Sequence, residues 1–355
     1  MFAGVLGSTT APLRSPWRTN RLGYGASSHT PPLRHQPAAS SPPDDLDNPR
    51  NAPDLSLRGI ATVSLVAIFF LVSDLFQRAL VCPAARMLSG HGPAVHGRWQ
   101  RFMSRTLFMI LKRCGGADIP RPGRVPGGPG ILILMNHQSL LDIPMAIASG
   151  EGVFSRIVTR QRYARWIPVI SHTIRTLDYP VVNPRAKAGT GRRLLEQLDQ
   201  VARTSVAPLI VFPEGTRSID GEIGRFRTAG LGRILGAREW IVYVLVGDGY
   251  WRHGKLVHLL GGMQKIKGRL SVLGPIEWSD PAVDPADFIA RMRNLMVDEL
   301  ARVREGGTDL VPGPGPAQIP DLAPVVQEAT LSNQGKEFLE TRSLAPAHIR
   351  VFGDP

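Results

Sequence analysis

Five consecutive apolar residues, Ile131-Leu132-Ile133-Leu134-Met135, leave a chain like this few folds to choose from. Pro129-Gly130 precedes them and a polar cluster follows. The run is too short for a helix and does not alternate, so it predicts a strand covered on both faces. Pro208-Leu209-Ile210-Val211-Phe212 is a second run of the same kind, and Ile241–Val246 and Leu270–Leu273 are further candidates. Strands buried on both sides belong to largely parallel sheets layered between helices. The intervening sequence supplies those helices. Leu194, Leu195, Leu198, Val201 and Ala202 recur at the 3.6-residue period. Between Pro285 and Arg304, with Asp284 as cap and Pro285 in the first turn, Phe288, Ile289, Met292, Leu295, Met296, Leu300 and Val303 form another stripe. The fold class expected is α/β, a single domain with a central mixed, largely parallel sheet flanked by helices.

Such sheets carry their chemistry at the carboxyl ends of strands. The first strand ends in Asn136-His137-Gln138-Ser139-Leu140-Leu141-Asp142. A turn can bring the Asp142 carboxylate onto one ring nitrogen of His137, leaving the other to act as a general base. On the spacing alone, the same two residues more readily cap the next helix. The second strand ends in Pro213-Glu214-Gly215-Thr216-Arg217-Ser218. Gly215 lets backbone approach a ligand, Thr216 and Ser218 offer hydroxyls, Glu214 can accept from one, and Arg217 presents a fork matched to phosphate oxygens.

The flanks differ in kind. Residues 1–55 are rich in Pro, Ser and Arg, with no acid before Asp44 and no hydrophobic period, and are expected to be disordered. That composition also fits an organelle transit peptide or a downstream start. Residues 56–115 hold an uncharged apolar run, Gly59–Val72, interrupted by Asp74, and an amphipathic piece, Phe102–Leu111, ending in Lys112-Arg113. Laced with Arg78, Arg86, Arg98, Arg101 and Arg105, they suit a membrane-embedded or interfacial hairpin, or else core helices. The basic flank would put the domain that follows, residues 116–305, on the cytoplasmic side. Residues 306–355 turn Gly/Pro-rich again and are expected to be disordered.

The two strand-end motifs, with Glu214 77 positions beyond His137, resemble those of the lysophospholipid and glycerolipid acyltransferase family. Phe212–Ser218 matches that family's Phe-Pro-Glu-Gly-Thr-Arg-Ser turn at every position, and His137 and Asp142 match its Asn-His-x-x-x-x-Asp motif. The likeness spans about residues 115–275, and the apolar N-terminal segment is similar to the family's membrane-associated two-helix element. The resemblance implies that His137 takes the proton from a lysolipid hydroxyl attacking an acyl thioester, with Asp142 holding the imidazole. It implies that Glu214, Gly215, Thr216 and Arg217 bind the acceptor, with Asn136, Ser139, Pro213 and Ser218 supporting the motifs. The default acceptor is 1-acyl-sn-glycerol 3-phosphate, giving phosphatidic acid, and the donor is acyl-CoA or acyl-carrier protein. No metal and no cofactor beyond that donor is implied. The chain contains no Gly-x-Ser-x-Gly elbow, in keeping with direct attack by the acceptor.

Two positions depart from the family pattern. In Tyr179-Pro180-Val181-Val182-Asn183-Pro184-Arg185, Asn183 stands where Arg is common, and Arg185 is the candidate substitute. Tyr243 occupies the place of a usual Pro in Ile241–Val246. Both bear on which lysolipid is accepted.

The formal charge of +13 calls for anionic partners. Membrane lipids, a lysophospholipid and the acyl donor all qualify, and Arg156, Arg160, Arg162 and Arg165, interleaved with Tyr163 and Trp166, form a candidate contact for donor or headgroups. Nucleic acid is not expected: there is no helix-turn-helix, zinc spacing or aromatic-rich RNA motif, and that reading leaves the apolar N-terminal segment unexplained. Cys82 and Cys114 are too few for a disulfide framework or a zinc site.

Overall fold

The computed structural model describes residues 56–88, 90–182, 188–254 and 256–306. The termini read above as disordered lie outside the described residues, save Gly306, as do Asn183 and Arg185. In chain order the α-helices are α1 (Leu57–Phe76), α2 (Cys82–Met87), α3 (Gly92–Arg113), α4 (Asp142–Ser149), α5 (Ile170–Thr176), α6 (Ala188–Thr204), α7 (Thr228–Leu235), α8 (Leu256–Gly262) and α9 (Ala286–Arg304). The strands are β1 (Ile131–Met135), β2 (Arg156–Ile157), β3 (Thr159–Arg160), β4 (Val181–Val182), β5 (Leu209–Val211), β6 (Trp240–Asp248) and β7 (Arg269–Trp278).

Five strands form one sheet in the order β2-β5-β1-β6-β7, parallel except for β7, which runs antiparallel to β6. β3 and β4 pair parallel in a small separate sheet. The central strand β1 is apolar at every position because both its faces are covered. Ile131, Ile133 and Met135 pack with Phe108, Met145 and Ile266 on one side. Leu132 and Leu134 pack with Leu198, Leu231, Phe288 and Met292 on the other. The expected sheet is therefore present, with β7 longer than Leu270–Leu273. Asp284 does cap α9, its Oδ1 accepting from the Ala286 N–H at 3.0 Å, although Pro285 lies just ahead of the helix.

Strand register places the site. Leu134 of β1 is level with Val211 of β5 and with Val244 of β6. Asn136-His137 and Phe212-Pro213 therefore leave the sheet side by side at its carboxyl edge, although 77 residues separate His137 from Glu214.

The N-terminal helices differ from expectation in one respect. Asp74 does not break the apolar run. α1, a π-helical turn over Gln77–Val81 and α2 continue as one helix, Leu57–Met87, of 31 residues, long and apolar enough to cross a membrane. Asp74 is accommodated because it has partners: Arg78, one turn on, donates to it at 2.8 Å, and so does the Val169 N–H at 2.7 Å. Gln77 is likewise buried in partners, bonded to Thr173 at 3.0 Å and to the Trp99 indole N–H at 3.1 Å. Ile68, Leu71, Val72 and Leu75 face outward, Leu75 being 70% exposed. α3 behaves as a core helix along one face, with Met103, Phe108 and Leu111 buried, while Phe102 and Met109 remain exposed. One turn of the first helix meets α8 closely, since a Cβ on Gly59 would collide with the Leu260 carbonyl.

Candidate active site

The site begins where β1 ends. Asn136 is buried, and its amide bonds both backbone groups of Gly247, donating to the carbonyl at 2.8 Å and accepting from the N–H at 2.7 Å. This clip ties the end of β1 to β6 and fixes the direction in which the next residues leave. Asp142, the first residue of α4, is 1% exposed. Its Oδ2 accepts from the Gln138 N–H at 2.6 Å and the Ser139 N–H at 2.7 Å, and lies 3.0 Å from His137 Nδ1. The loop thus folds around one carboxylate oxygen, which holds backbone and imidazole at once. Between the two readings open in the sequence, the geometry favours the dyad: the carboxylate turns back onto residues 137–139 instead of onto the N–H groups of its own helix. With Nδ1 engaged, Nε2 is the nitrogen left to face a reactant. The His137 side chain is 15% exposed and its ring packs on Phe212, centroids 4.4 Å apart.

The turn after β5 is locked to this loop from the other side. Glu214 Oε1 accepts from the His137 N–H at 2.9 Å, Oε2 accepts from the Gly224 N–H at 2.9 Å, and the Ser218 N–H donates to the His137 carbonyl at 2.7 Å. Burial pushes the Glu214 carboxyl above its ordinary value, opposed by those two N–H bonds. Glu214 is 3% exposed, with both oxygens on backbone amides. Through the first of these bonds it also braces the His137 backbone, a contact the sequence did not show. Gly215 takes φ +67°, a left-handed conformation suited to glycine, and its carbonyl accepts from Arg160 at 2.7 Å. Thr216 is exposed beside it. Arg217 is half-buried and donates one guanidinium N–H to the Gly254 carbonyl, so its fork is not wholly free for phosphate. Ser218 and Ser139 act within their turns. Ser218 Oγ donates to Asp220 at 2.8 Å, and Ser139 Oγ accepts from the Leu141 N–H at 3.0 Å. The Pro213 carbonyl accepts from the Arg227 N–H at 2.7 Å.

Two residues change standing. Gln138, only part of a polar cluster in the sequence, is 1% exposed and bonds Gly221, Asp248 and the Tyr250 N–H. It joins three segments around the dyad, and a glutamine three residues past the end of a strand, inside the polar cluster, is the signal that could have found it. Arg156 leaves the expected basic cluster: its Nε donates to the Leu177 carbonyl at 3.0 Å, and burial lowers its pKa. Arg162 instead lies over the Tyr163 ring, and Trp166 is 95% exposed. Tyr243 is buried in the core. No cluster of His, Cys, Asp or Glu suited to a metal occurs among the described residues.

A buried carboxylate holding an imidazole at a strand end, with a glycine turn fastened beside it, is an arrangement that general-base chemistry can use. Residues 117–244, the segment that carries both motifs, match the family model described as Acyltransferase, which supports the likeness to glycerolipid acyltransferases. Its fold is similar to the crystal structure of the 1-acyl-sn-glycerophosphate (LPA) acyltransferase PlsC from Thermotoga maritima, with a TM-score of 0.52 and 19% identity over 70% of this chain and 98% of that one. A search of curated proteins returned no match.

Proposed function

We propose that the protein is a membrane-associated O-acyltransferase that moves a fatty acyl group from acyl-CoA or acyl-carrier protein to the hydroxyl of a lysophospholipid, 1-acyl-sn-glycerol 3-phosphate in the first instance. The observation that carries this reading is the 3.0 Å contact between His137 Nδ1 and Asp142 within a segment matching the acyltransferase family. His137 Nε2 takes the hydroxyl proton as the oxygen attacks the thioester carbonyl. The tetrahedral intermediate collapses, the carbon–sulfur bond breaks, and the departing sulfur takes the proton back from the imidazolium. Products are the ester and the free thiol, with no acyl-enzyme. Asp142 holds the Nδ1–H tautomer and stabilises the imidazolium between the two proton transfers.

The outward apolar face of α1 would seat the domain on a bilayer, with the basic flank that follows placing the site on the cytoplasmic side. The test is to incubate purified protein with labelled acyl-CoA, or acyl-carrier protein, against a panel of lysophospholipids, glycerol 3-phosphate and neutral monoacylglycerol. Transfer to a lysophospholipid that His137→Ala abolishes supports the reading. Absence of transfer to every member of the panel would overturn it.

A further inference from the structure

Beside the Glu214 turn lies a cavity of about 550 Å³ lined by Glu214, Thr216, Arg225, Phe226, Arg227 and Thr228. Its cations stand out from the rest of the site. Arg217 donates to Gly254 and Arg160 to Gly215, but the guanidinium groups of Arg225 and Arg227 have no hydrogen-bond or ion-pair partner among the described residues. The neighbouring carboxylates are all engaged elsewhere. Glu214 holds two backbone amides, Asp220 accepts from Ser218 and the Glu222 N–H, and Glu222 pairs with Arg304 at 2.5 Å. The cavity therefore has two cations and two hydroxyls, and neither cation is in direct contact with a carboxylate among the described residues, the Glu214 oxygens being turned onto backbone amides.

The segment carrying these arginines is held firmly. Ile223 and Phe226 are buried, each 5% exposed, and anchor it in the core. Arg293 donates to the Ile223 and Gly224 carbonyls at 3.2 and 3.1 Å, and the Gly224 and Arg227 N–H groups bond the Glu214 turn. Arg225 and Arg227, two positions apart with Phe226 turned inward between them, are thus presented together. The Arg227 stem lies across Gly215, where an added Cβ would come within 3.1 Å of Arg227 Cγ. The same turn that braces His137 through Glu214 braces this pair.

We infer that the cavity is a phosphoryl subsite, in which Arg225 and Arg227, with the hydroxyls of Thr216 and Thr228, take a phosphate ester dianion carried by one of the two substrates. Arginine forks match phosphate oxygens in charge and geometry, and hydroxyls can donate to the remaining ones. Two sources offer this chemistry next to the dyad: the headgroup of a lysophospholipid and the nucleotide phosphates of a CoA donor. Naming the ligand as a substrate's phosphate rests on the acyl-transfer reading. The existence of an anion site there does not, and a two-armed experiment separates them.

The first arm needs no turnover. The full-length protein in detergent is treated with phenylglyoxal, and labelling of Arg225 and Arg227 is followed by peptide mass spectrometry. Inorganic phosphate, glycerol 3-phosphate or adenosine 3′,5′-bisphosphate is present or absent, with exposed Arg124 as control. At least one of these anions slows labelling of both arginines about fivefold or more near saturation while Arg124 is unaffected.

The second arm compares Arg225→Gln and Arg227→Gln with the parent protein. KM for the phosphate-bearing substrate rises about tenfold or more, as expected for one lost charge-assisted contact, with kcat little changed. A rise confined to the lysophospholipid, and absent with monoacylglycerol, assigns the subsite to the acceptor. A rise confined to acyl-CoA, and absent with an acyl-pantetheine, assigns it to the donor. No protection by any of the three anions, or KM values for both substrates within about twofold of the parent, overturns the inference. If the parent protein transfers no acyl group at all, the acyl-transfer reading falls, and the labelling arm still decides the anion site.

Discussion

Asp142→Asn is the sharpest probe of the dyad, because the structure dictates how the new side chain must sit. Oδ2 accepts from two backbone N–H groups, of Gln138 and Ser139, as well as facing His137 Nδ1. An asparagine must place its carbonyl oxygen there, since its NH2 would meet three donors. The variant therefore keeps the imidazole orientation and the Nδ1–H tautomer, and loses only the negative charge. Replacing a charge-assisted contact with a neutral one removes about 1–2 kcal/mol. Coulomb attraction to an imidazolium at 3.0 Å sets an upper bound of about 5.5 kcal/mol at an effective dielectric constant of about 20. At 1.36 kcal/mol per decade the rate of acyl transfer falls between about 5-fold and about 10⁴-fold, with about 10²-fold as the central value.

The assay is single-turnover transfer from labelled acyl-CoA, which isolates the chemical step from product release. Oδ1 is buried without a partner among the described residues, so the new NH2 costs about 1–3 kcal/mol, partly offset because a charge is no longer buried. Asp142→Ala is less informative. It strands two backbone N–H groups at about 2–6 kcal/mol, a large share of a stability of about 5–15 kcal/mol. A folded Asp142→Asn protein with a transfer rate within about threefold of the parent would refute the charge-stabilised dyad.

Three further outcomes are expected. Glu214→Ala leaves the His137 and Gly224 N–H groups without acceptors, at about 2–6 kcal/mol together. A thermal melt reads this as a lower Tm, with loss of activity through misplacement of His137; an unchanged melt argues against the bracing role. Glu299 is held below the ordinary carboxylate range chiefly by its bond to Arg302. Because the folded-state pKa is depressed, its contribution is complete above the unfolded pKa of about 4.3 and is lost as pH falls through the folded value. Glu299→Gln should therefore lower stability by about 1 kcal/mol at pH 7, and denaturant melts of variant and parent should converge toward pH 3. Changing Ile68, Leu71 and Leu75 together to Ser removes the exposed apolar face of α1. If that face holds the bilayer, vesicle partitioning measured by sedimentation drops more than about 100-fold; undiminished binding would place the contact elsewhere.

The two apolar runs by themselves determined much of this protein. Five unbroken apolar residues in β1 can be satisfied only with both faces covered, so the layered parallel sheet was legible, as were the stripes of α6 and α9. His137 and Asp142 were legible as a pair because five positions span one turn. Tertiary structure decided what local pattern cannot encode. Register brings the β1 and β5 ends level, and across that gap Glu214 gains a second part, as the brace of the His137 backbone. Gln138 gains its role only because Gly221, Asp248 and Tyr250 converge on it from distant segments. Asp74 looks like a helix breaker until Val169 and Arg78 supply its partners. The availability of a cation is likewise a tertiary property: Arg217 reads as the free phosphate fork, yet the chain brings the Gly254 carbonyl to it and leaves Arg225 and Arg227 unpaired among the described residues. Burial and periodicity are written locally, whereas the satisfaction of a polar group depends on which remote donor or acceptor the fold delivers.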